Sequence, residues 1–352
     1  DHRDLHSFPT RRSSDLLGVL EFLSNYNLSK TNEGLTSPAN TSFIPAICSL
    51  NSIYAELKGS VFPSNPPDDR IFFSDLLKYY YKLIAKEIEK YILKIKEEEN
   101  SQINKELKNF ILHLKNKNYK IRAYTTNYDR LFPLLLRDKI QIFDGFNFND
   151  SKHIEDSIDY DIDKILHDKN CDTYYNLHGC INWERNFDTL QLESKFVCKP
   201  HQTYTSIDFS EMKTANPGHA IFPINIVTGY NKVQRLSIEP LNLFYSIFLS
   251  DCNDADFIIT TGYSFNDYHI NRALSLGLNK TNIQHLHITY SDKNNYKKSV
   301  EFINQNNILR PISNNLELKL ENDIWFKSND NNRKVYLDGF KNFLLNKKWL
   351  SI

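Results

Sequence analysis

An α/β fold, a Rossmann-like parallel sheet with helices on both faces and a helical insertion before Tyr119, follows from three features of the sequence. Past Tyr119, short runs rich in β-branched and aromatic residues alternate with stretches of helical periodicity. Ahead of Tyr119, apolar residues recur at three- and four-residue spacing. The polar residues with chemical potential stand just after strand-like runs, where ligands of open parallel sheets bind.

Residues 17–118 read as the helical N-terminal part of the domain and 119–352 as its Rossmann-like core. From Leu17 to Asp69, "LTSPANTSFIP" and "FPSNPPDD" supply breakers, so loops and short helices are expected. Leu77, Tyr80, Ile84, Ile88, Tyr91 and Ile95 then line one face of an amphipathic helix. A second helix carries Ile103, Leu107, Phe110, Ile111 and Leu114; core packing explains both faces. After the "KNKN" turn, "YKIRAYTT" reads as a strand, followed by "DTYYNLHG", "AIFPINIVTGY", "ADFIITTGYS" and "IQHLHITYS". Between several of these lie helical stretches such as "PLNLFYSIFL" and "HINRALSLGL".

Composition narrows the function classes. A chain of 352 residues is long enough for a substantial core, and its 43 Lys plus Arg balance 43 Asp plus Glu. There is no global positive field of the kind that holds proteins to phosphate backbones, so direct nucleic-acid binding is not expected. The longest apolar stretches fall far short of the roughly 20 residues that span a bilayer, and no membrane partner is expected. Five cysteines, Cys48, Cys171, Cys180, Cys198 and Cys252, include no Cys-x-x-Cys pair. That pattern argues against a zinc knuckle or disulfide framework and fits a reducing cytoplasm.

The first 16 residues stand apart. "HSFPTRRSSDL" lacks the apolar block of a secretory signal, and Asp1, Asp4 and Asp15 make it too acidic for a transit peptide. "DHRDLHSFPTRRSSDL" looks like one reading frame of a common sequencing adapter, so residues 1–16 are treated as a scar; the alternative is a basic arm. On the scar reading the native beginning is replaced and the natural chain joins near Leu17.

Three strand ends form one constellation: "TTNYD", "LHG" and "TGYSFND". They offer an amide, carboxylates, an imidazole, small hydroxyls and two glycines where backbone can approach a ligand. A nucleotide with ribose hydroxyls and phosphates needs that mixture. In their order and placement the sequence resembles the sirtuin superfamily, in its bacterial NAD-hydrolysing branch found in anti-phage defence systems. "TTNYD" looks like that family's Thr-Gln-Asn-Ile-Asp segment, "LHG" like its catalytic His-Gly, and "GYSFND" like its Gly-Thr-Ser loop, over about Tyr119 to Asp292.

The resemblance implies that Asn127 orients the nicotinamide ribose or the attacking water and that Asp129 helps hold the nicotinamide side. His178 would be the base acting on a ribose hydroxyl or on water. Gly262 and Ser264 would contact phosphate or the adenosine ribose, and Ser291 would lie near the adenosine. Thr126 replaces the family's usual Gln at the nicotinamide contact. Structural alternatives are that Asp129 caps the following helix and that Ser264 is a turn residue. The family's Gly-Ala-Gly phosphate loop has no counterpart in residues 17–70, so a chain starting in a scar is expected to handle NAD poorly.

The expected activity is therefore NAD glycohydrolysis, with NAD+ as substrate, no metal, and nicotinamide and ADP-ribose or a cyclised form as products. Such an enzyme would deplete NAD in anti-phage defence, gated by homo-oligomerisation or by a partner such as a hexameric ATPase. Two other readings stand beside it. One is a metal-dependent phosphoesterase, suggested by "TTNYD", "LHG" and the "HLH" of His285 to His287; it is the weaker reading because alternate residues of an apolar strand share a face and usually pack, and because no Asp-x-His start is expected. The other is a non-catalytic module sensing NAD or ADP-ribose. Metal independence is expected because the sequence shows neither cysteine pairs nor a clustered His/Asp ligand set.

Overall fold

The computed structural model describes residues 84–94, 98, 101–146, 158–188, 193–198, 214–216, 219–220, 226–227, 236, 238–263, 265, 267–280, 283–290, 318–322, 324–328 and 332–352. The scar, the irregular stretch to Asp69, Cys48, Ser264 and Ser291 lie outside them.

Helix α1 covers residues 84–94, within the first periodic stretch, and buries Ile84, Ala85 and Ile88. Helix α2, Gln102–Asn116, starts where the Ser101 hydroxyl accepts the Asn104 N–H and buries Phe110, Ile111 and Leu114, as the spacing predicts. Strand β1, Arg122–Thr125, leads into the short helix α3, Leu131–Leu136. Pro133 is tolerated there because first-turn N–H groups have no partner within the helix. Strand β2, Ile142–Phe143, helix α4, Ile162–His167, and strand β3, Asp172–Asn176, follow. The three strands form a parallel sheet in the order β1-β3-β2, with β3 central and buried at every residue.

Two antiparallel pairs come next: β4, Trp183–Asp188, with β5, Glu193–Cys198, and β6, Thr214–Asn216, with β7, His219–Ala220. Of the strand expected over residues 220–230, the described part is different. Ala220 belongs to two-residue β7, and Ile226 makes an isolated bridge to Gly179. Pro223 in that run has no N–H to give a ladder.

The chain then forms helix α5, Leu241–Asp254, strand β8, Phe257–Thr261, helix α6, Tyr268–Leu278, and strand β9, Gln284–Ile288. Strands β10, Leu318–Asn322, β11, Trp325–Ser328, and β12, Arg333–Tyr336, precede helix α7, Gly339–Leu345, and a 3-10 turn, Lys348–Ser351. The second sheet runs β10-β11-β12-β9-β8. Strands β8, β9 and β12 are parallel, whereas β10 and β11 are antiparallel to their neighbours. The fold is mixed α/β: the three-stranded sheet is parallel as expected, and the second sheet adds antiparallel β10 and β11 to its parallel strands. Only a few residues separate β11 from β12, a connection too short for a parallel crossover. The Ser328 hydroxyl accepts the Arg333 N–H at 3.1 Å and closes that return.

Along β8, β11 and β12, successive residues alternate between two clusters on opposite sides of the second sheet. Ile258, Phe326 and Val335 pack into one cluster with Phe244, Ile270 and Leu274 of α5 and α6. Ile259, Trp325, Leu286 and Tyr336 face a second cluster with Phe110 of α2 and Phe343 of α7. The three-stranded sheet joins the first cluster through Tyr175, stacked on Phe244 with ring centroids 4.4 Å apart. Arg122 of β1 pairs with Asp251 of α5 at 2.7 Å, and the Tyr124 hydroxyl donates to the same carboxylate. No helix of the described residues is long and apolar enough to cross a membrane.

Candidate functional site

The carboxyl ends of β1 and β3 are tied by backbone bonds, so their loops hold one geometry. The Leu177 N–H donates to the Thr125 carbonyl at 2.8 Å, continuing the parallel ladder past the last paired residues. Asn176, buried at the end of β3, donates its amide to the Asn127 carbonyl at 3.0 Å and the Asp129 carbonyl at 2.9 Å. Thr125 accepts the Asn127 N–H on its hydroxyl at 3.0 Å, making a tight turn directly after the strand. The result leaves Asn127 exposed and Thr126 half-buried at the sheet's end.

Asp129 sits below that rim, 6 % exposed, and its carboxylate accepts the Leu131 N–H at 2.9 Å at the start of α3. The capping alternative thus describes one of its oxygens. Burial raises its carboxyl above the ordinary range, against two backbone hydrogen bonds that lower it.

His178 follows β3 and is 2 % exposed. Its carbonyl accepts the Val227 N–H at 2.7 Å, and Gly179 after it takes φ +84, a left-handed turn suited to glycine. The imidazole is directed at another imidazole: Nε2 of His178 lies 3.0 Å from Nε2 of His269 in the first turn of α6. That contact joins residues 91 apart in sequence. It brings the segment after β3 against the segment after β8.

The β8 segment is held from below. Gly262 has φ +61, is exposed, and donates its N–H to the Ile288 carbonyl at 3.1 Å. A Cβ at this position would meet nothing within 4 Å, so the glycine serves conformation and leaves space beside the backbone. Phe265, also left-handed at φ +53, is buried against His287 with ring centroids 4.9 Å apart. Its carbonyl accepts the amide of buried Asn271 at 2.7 Å, whose own carbonyl oxygen accepts the Tyr263 hydroxyl at 2.8 Å. Asp267 occupies the N-cap position of α6, yet its carboxylate caps no N–H of that helix. The Tyr245 hydroxyl donates to the His269 carbonyl at 2.8 Å.

His178, Asp267 and His269 place one ligand atom each within 4.8 Å of one another. This grouping corrects the expectation of no clustered His/Asp set. Helical periodicity accounts for His269 and Asn271 and strand pattern for Asn176 without a ligand; the "D-x-H-x-N" spacing after a glycine turn is the sequence signal for the first two.

The "HLH" run behaves as the packing reading expects. His285 and His287 share one face of β9, are buried, and hydrogen-bond one hydroxyl, Thr260 Oγ1, at 2.9 and 3.0 Å. Burial pushes their pKa values down to about 3 and about 4. The four described cysteines are free thiols, and burial raises Cys180 and Cys252 to about 12.

No family model matches the chain, and no curated protein matches it.

Proposed function

We propose that the protein is a Rossmann-like NAD glycohydrolase whose chemistry is carried by His178 and Asn127. The observation that supports this reading most is the convergence on His178. A buried imidazole just after β3 meets the glycine-turn segment after β8, and Asn127 is exposed after the neighbouring strand β1. In the reaction the bond between ribose C1′ and the nicotinamide nitrogen breaks, and its electron pair neutralises the positive ring. A water oxygen bonds to C1′ and gives its proton to His178, yielding nicotinamide and ADP-ribose, while attack by a group of the same molecule would yield a cyclic product. Asn127 orients the ribose or the water, Thr126 and Asp129 border the nicotinamide side, and Gly262, Ser264 and Ser291 serve the phosphates and adenosine. Because nicotinamide leaves as a neutral ring while the positive charge passes to the ribose, no negative charge develops on the leaving group and the step requires no Lewis acid.

The same reading makes the enzyme an NAD-depleting effector in anti-phage defence, held silent by its own oligomer or by a gating partner such as a hexameric ATPase. The test is incubation with NAD, resolved by chromatography with and without chelator, on protein expressed from its genomic reading frame. His178→Ala and Asn127→Ala are each expected to lower turnover by about a hundredfold to ten-thousandfold with folding retained. Near-wild-type turnover in either would refute the assignment.

One observation favours a second reading, a metal-dependent phosphoesterase: His178, Asp267 and His269 form a two-imidazole, one-carboxylate set of the kind that holds zinc or manganese. Chelation separates the two. Activity lost to EDTA and restored by either metal would put this reading first.

A further inference from the structure

A parallel strand gives the N–H and C=O of alternate residues to one neighbour and turns those of the residues between toward the other side. In β1 the carbonyls of Ile121 and Thr125 accept from Thr173 and Leu177, so the backbone groups of Arg122 and Tyr124 face away from β3. In β8 the Asp256 carbonyl accepts from Gln284 and the Gly262 N–H donates to Ile288, so those of Phe257, Ile259 and Thr261 face away from β9. Among the described residues, no strand pairs with either outer edge. Yet Arg122, Tyr124, Phe257 and Ile259 are half-buried, and backbone groups removed from water need partners.

The two edges face each other within one layer. Successive turns of α5 rest on Tyr175 of β3 through Phe244 and on Tyr124 of β1 through Phe248; at Cys252 the helix reaches Gly277 of α6, which lies against Ile258 of β8. On the opposite face, Phe110, Ile111 and Leu114 of α2 share a cluster with Ile121 and Ile142 on the side of the first sheet and with Ile259 and Leu286 of the second. Both helices thus cover both sheets and the break between β1 and β8. The crossovers have a consistent hand. From β1 the chain moves away from the break to β2 through α3, on the α2 face; from β8 it moves the other way to β9 through α6, on the α5 face. Direction and face are both reversed, so the hand is the same. A strand in the break that is followed by α2 and then β1 moves in the first direction on the first face, and keeps that hand.

We infer that one further strand, parallel to β1 and β8 and preceding α1 in the sequence, lies between them and joins the two sheets into one. Covered on both faces, it has to be an unbroken apolar run. Between Leu17 and Asp69, "LGVLEFL" carries Gly18 and Glu21 inside it, and "SFIPAI" carries Pro45, which has no N–H for a ladder. Residues 1–16 are charged along their length. The occupant is therefore the natural sequence in their place, which rests on reading them as a scar. Its carboxyl end emerges between the turns of Asn127 and Gly262, where the two crossovers diverge, so that its last turn is a wall of the candidate site.

The test is amide hydrogen exchange, read residue by residue by NMR, on the protein expressed from its genomic reading frame and on the 352-residue chain. In the first, the N–H groups of Arg122, Tyr124, Phe257 and Ile259 are expected to exchange about a hundredfold more slowly than in the second. Those of Ala123 and Ile258, which face β3 and β9, should be protected in both. Three results overturn the inference: equal protection of the four amides in both proteins, free-amide rates at those positions in the genomic-frame protein, or a genome that encodes residues 1–16 as they stand. If the 352-residue chain does not fold, the rates in the genomic-frame protein decide. No readout involves NAD, so the outcome is separate from that of the glycohydrolase reading.

Discussion

Acid should weaken this fold through two histidines that have no part in the proposed chemistry. His285 and His287 lie on one face of β9 and share the Thr260 hydroxyl, which has one proton and so donates to one ring and accepts from the other. Both are buried, and their folded pKa values of about 3 and about 4 lie below the roughly 6.5 of an unfolded histidine. Between those limits the unfolded chain binds two protons that the folded chain refuses, so stability is full above about pH 6.5 and is lost as pH falls. Each ring contributes a slope of about 1.4 kcal/mol per pH unit. Going from pH 7 to pH 5, with the part of the titration already complete at pH 7 removed, the pair costs about 4 kcal/mol. That is a large share of the roughly 5–15 kcal/mol that holds a domain together. Raised Asp129 acts in the opposite sense, gaining stability as pH falls, but it is common to wild type and variant. The assay is urea unfolding followed by tryptophan fluorescence at pH 5, 6 and 7 at constant ionic strength. The wild type is compared with His285→Gln/His287→Asn, whose amides can still reach Thr260 but do not titrate. The variant should be the flatter of the two by about 4 kcal/mol over this range, whatever its stability at pH 7. Equal slopes would refute the assignment of the acid sensitivity to this pair.

The same substitution at two glycines should fail for different reasons. In Gly277→Ala the new Cβ would fall 2.0 Å from the Cys252 carbonyl oxygen, forcing α5 and α6 apart at a cost of about 1–3 kcal/mol or more by urea unfolding. Gly262→Ala meets no atom within 4 Å and pays only for its left-handed φ of +61, about 1 kcal/mol. Asp144→Ala should cost about 3–5 kcal/mol in thermal or urea unfolding, because it removes the carboxylate that pairs with the Arg130 guanidinium at a buried site. Replacing both partners with apolar residues, Arg130→Met/Asp144→Leu, should recover much of that loss, and a double variant no better than the single would show that the pair itself is not the cause.

Much of the fold was legible because local pattern and tertiary role agree. The spacing of Phe110, Ile111 and Leu114 specifies a helix whether or not its partner is known, and α2 buries that face. The runs around β1, β3, β8 and β9 carry the β-branched and aromatic residues that suit a pleated, half-buried surface, and each forms a strand. For "HLH" the period of two already required both rings to share a face, and the structure adds that Thr260 satisfies them. What the sequence could not decide was which strand lies beside which. Pairing depends on crossovers and on the turn before β12, so one expected parallel sheet became a parallel sheet of three strands and a mixed sheet of five.

The candidate site divides in the same way. Residue types and strand-end placement singled out Asn127, Asp129, His178 and Gly262 from the chain alone, because a glycine turn or a polar cluster after a strand is a local signal. The contact that gives His178 its chemical character is not local. His269 lies 91 residues away, within a helical period that explains it without reference to any ligand. Only the packing of α6 against the end of β3 brings the two rings to hydrogen-bonding distance. Asn176 and Asn271 were hidden for a related reason: their worth lies in backbone carbonyls that they hold in neighbouring turns, and a carbonyl has no signature in sequence. Sequence determined which groups stand at the ends of the strands; tertiary structure alone decided which of them touch, because that depends on distances set by the packed core.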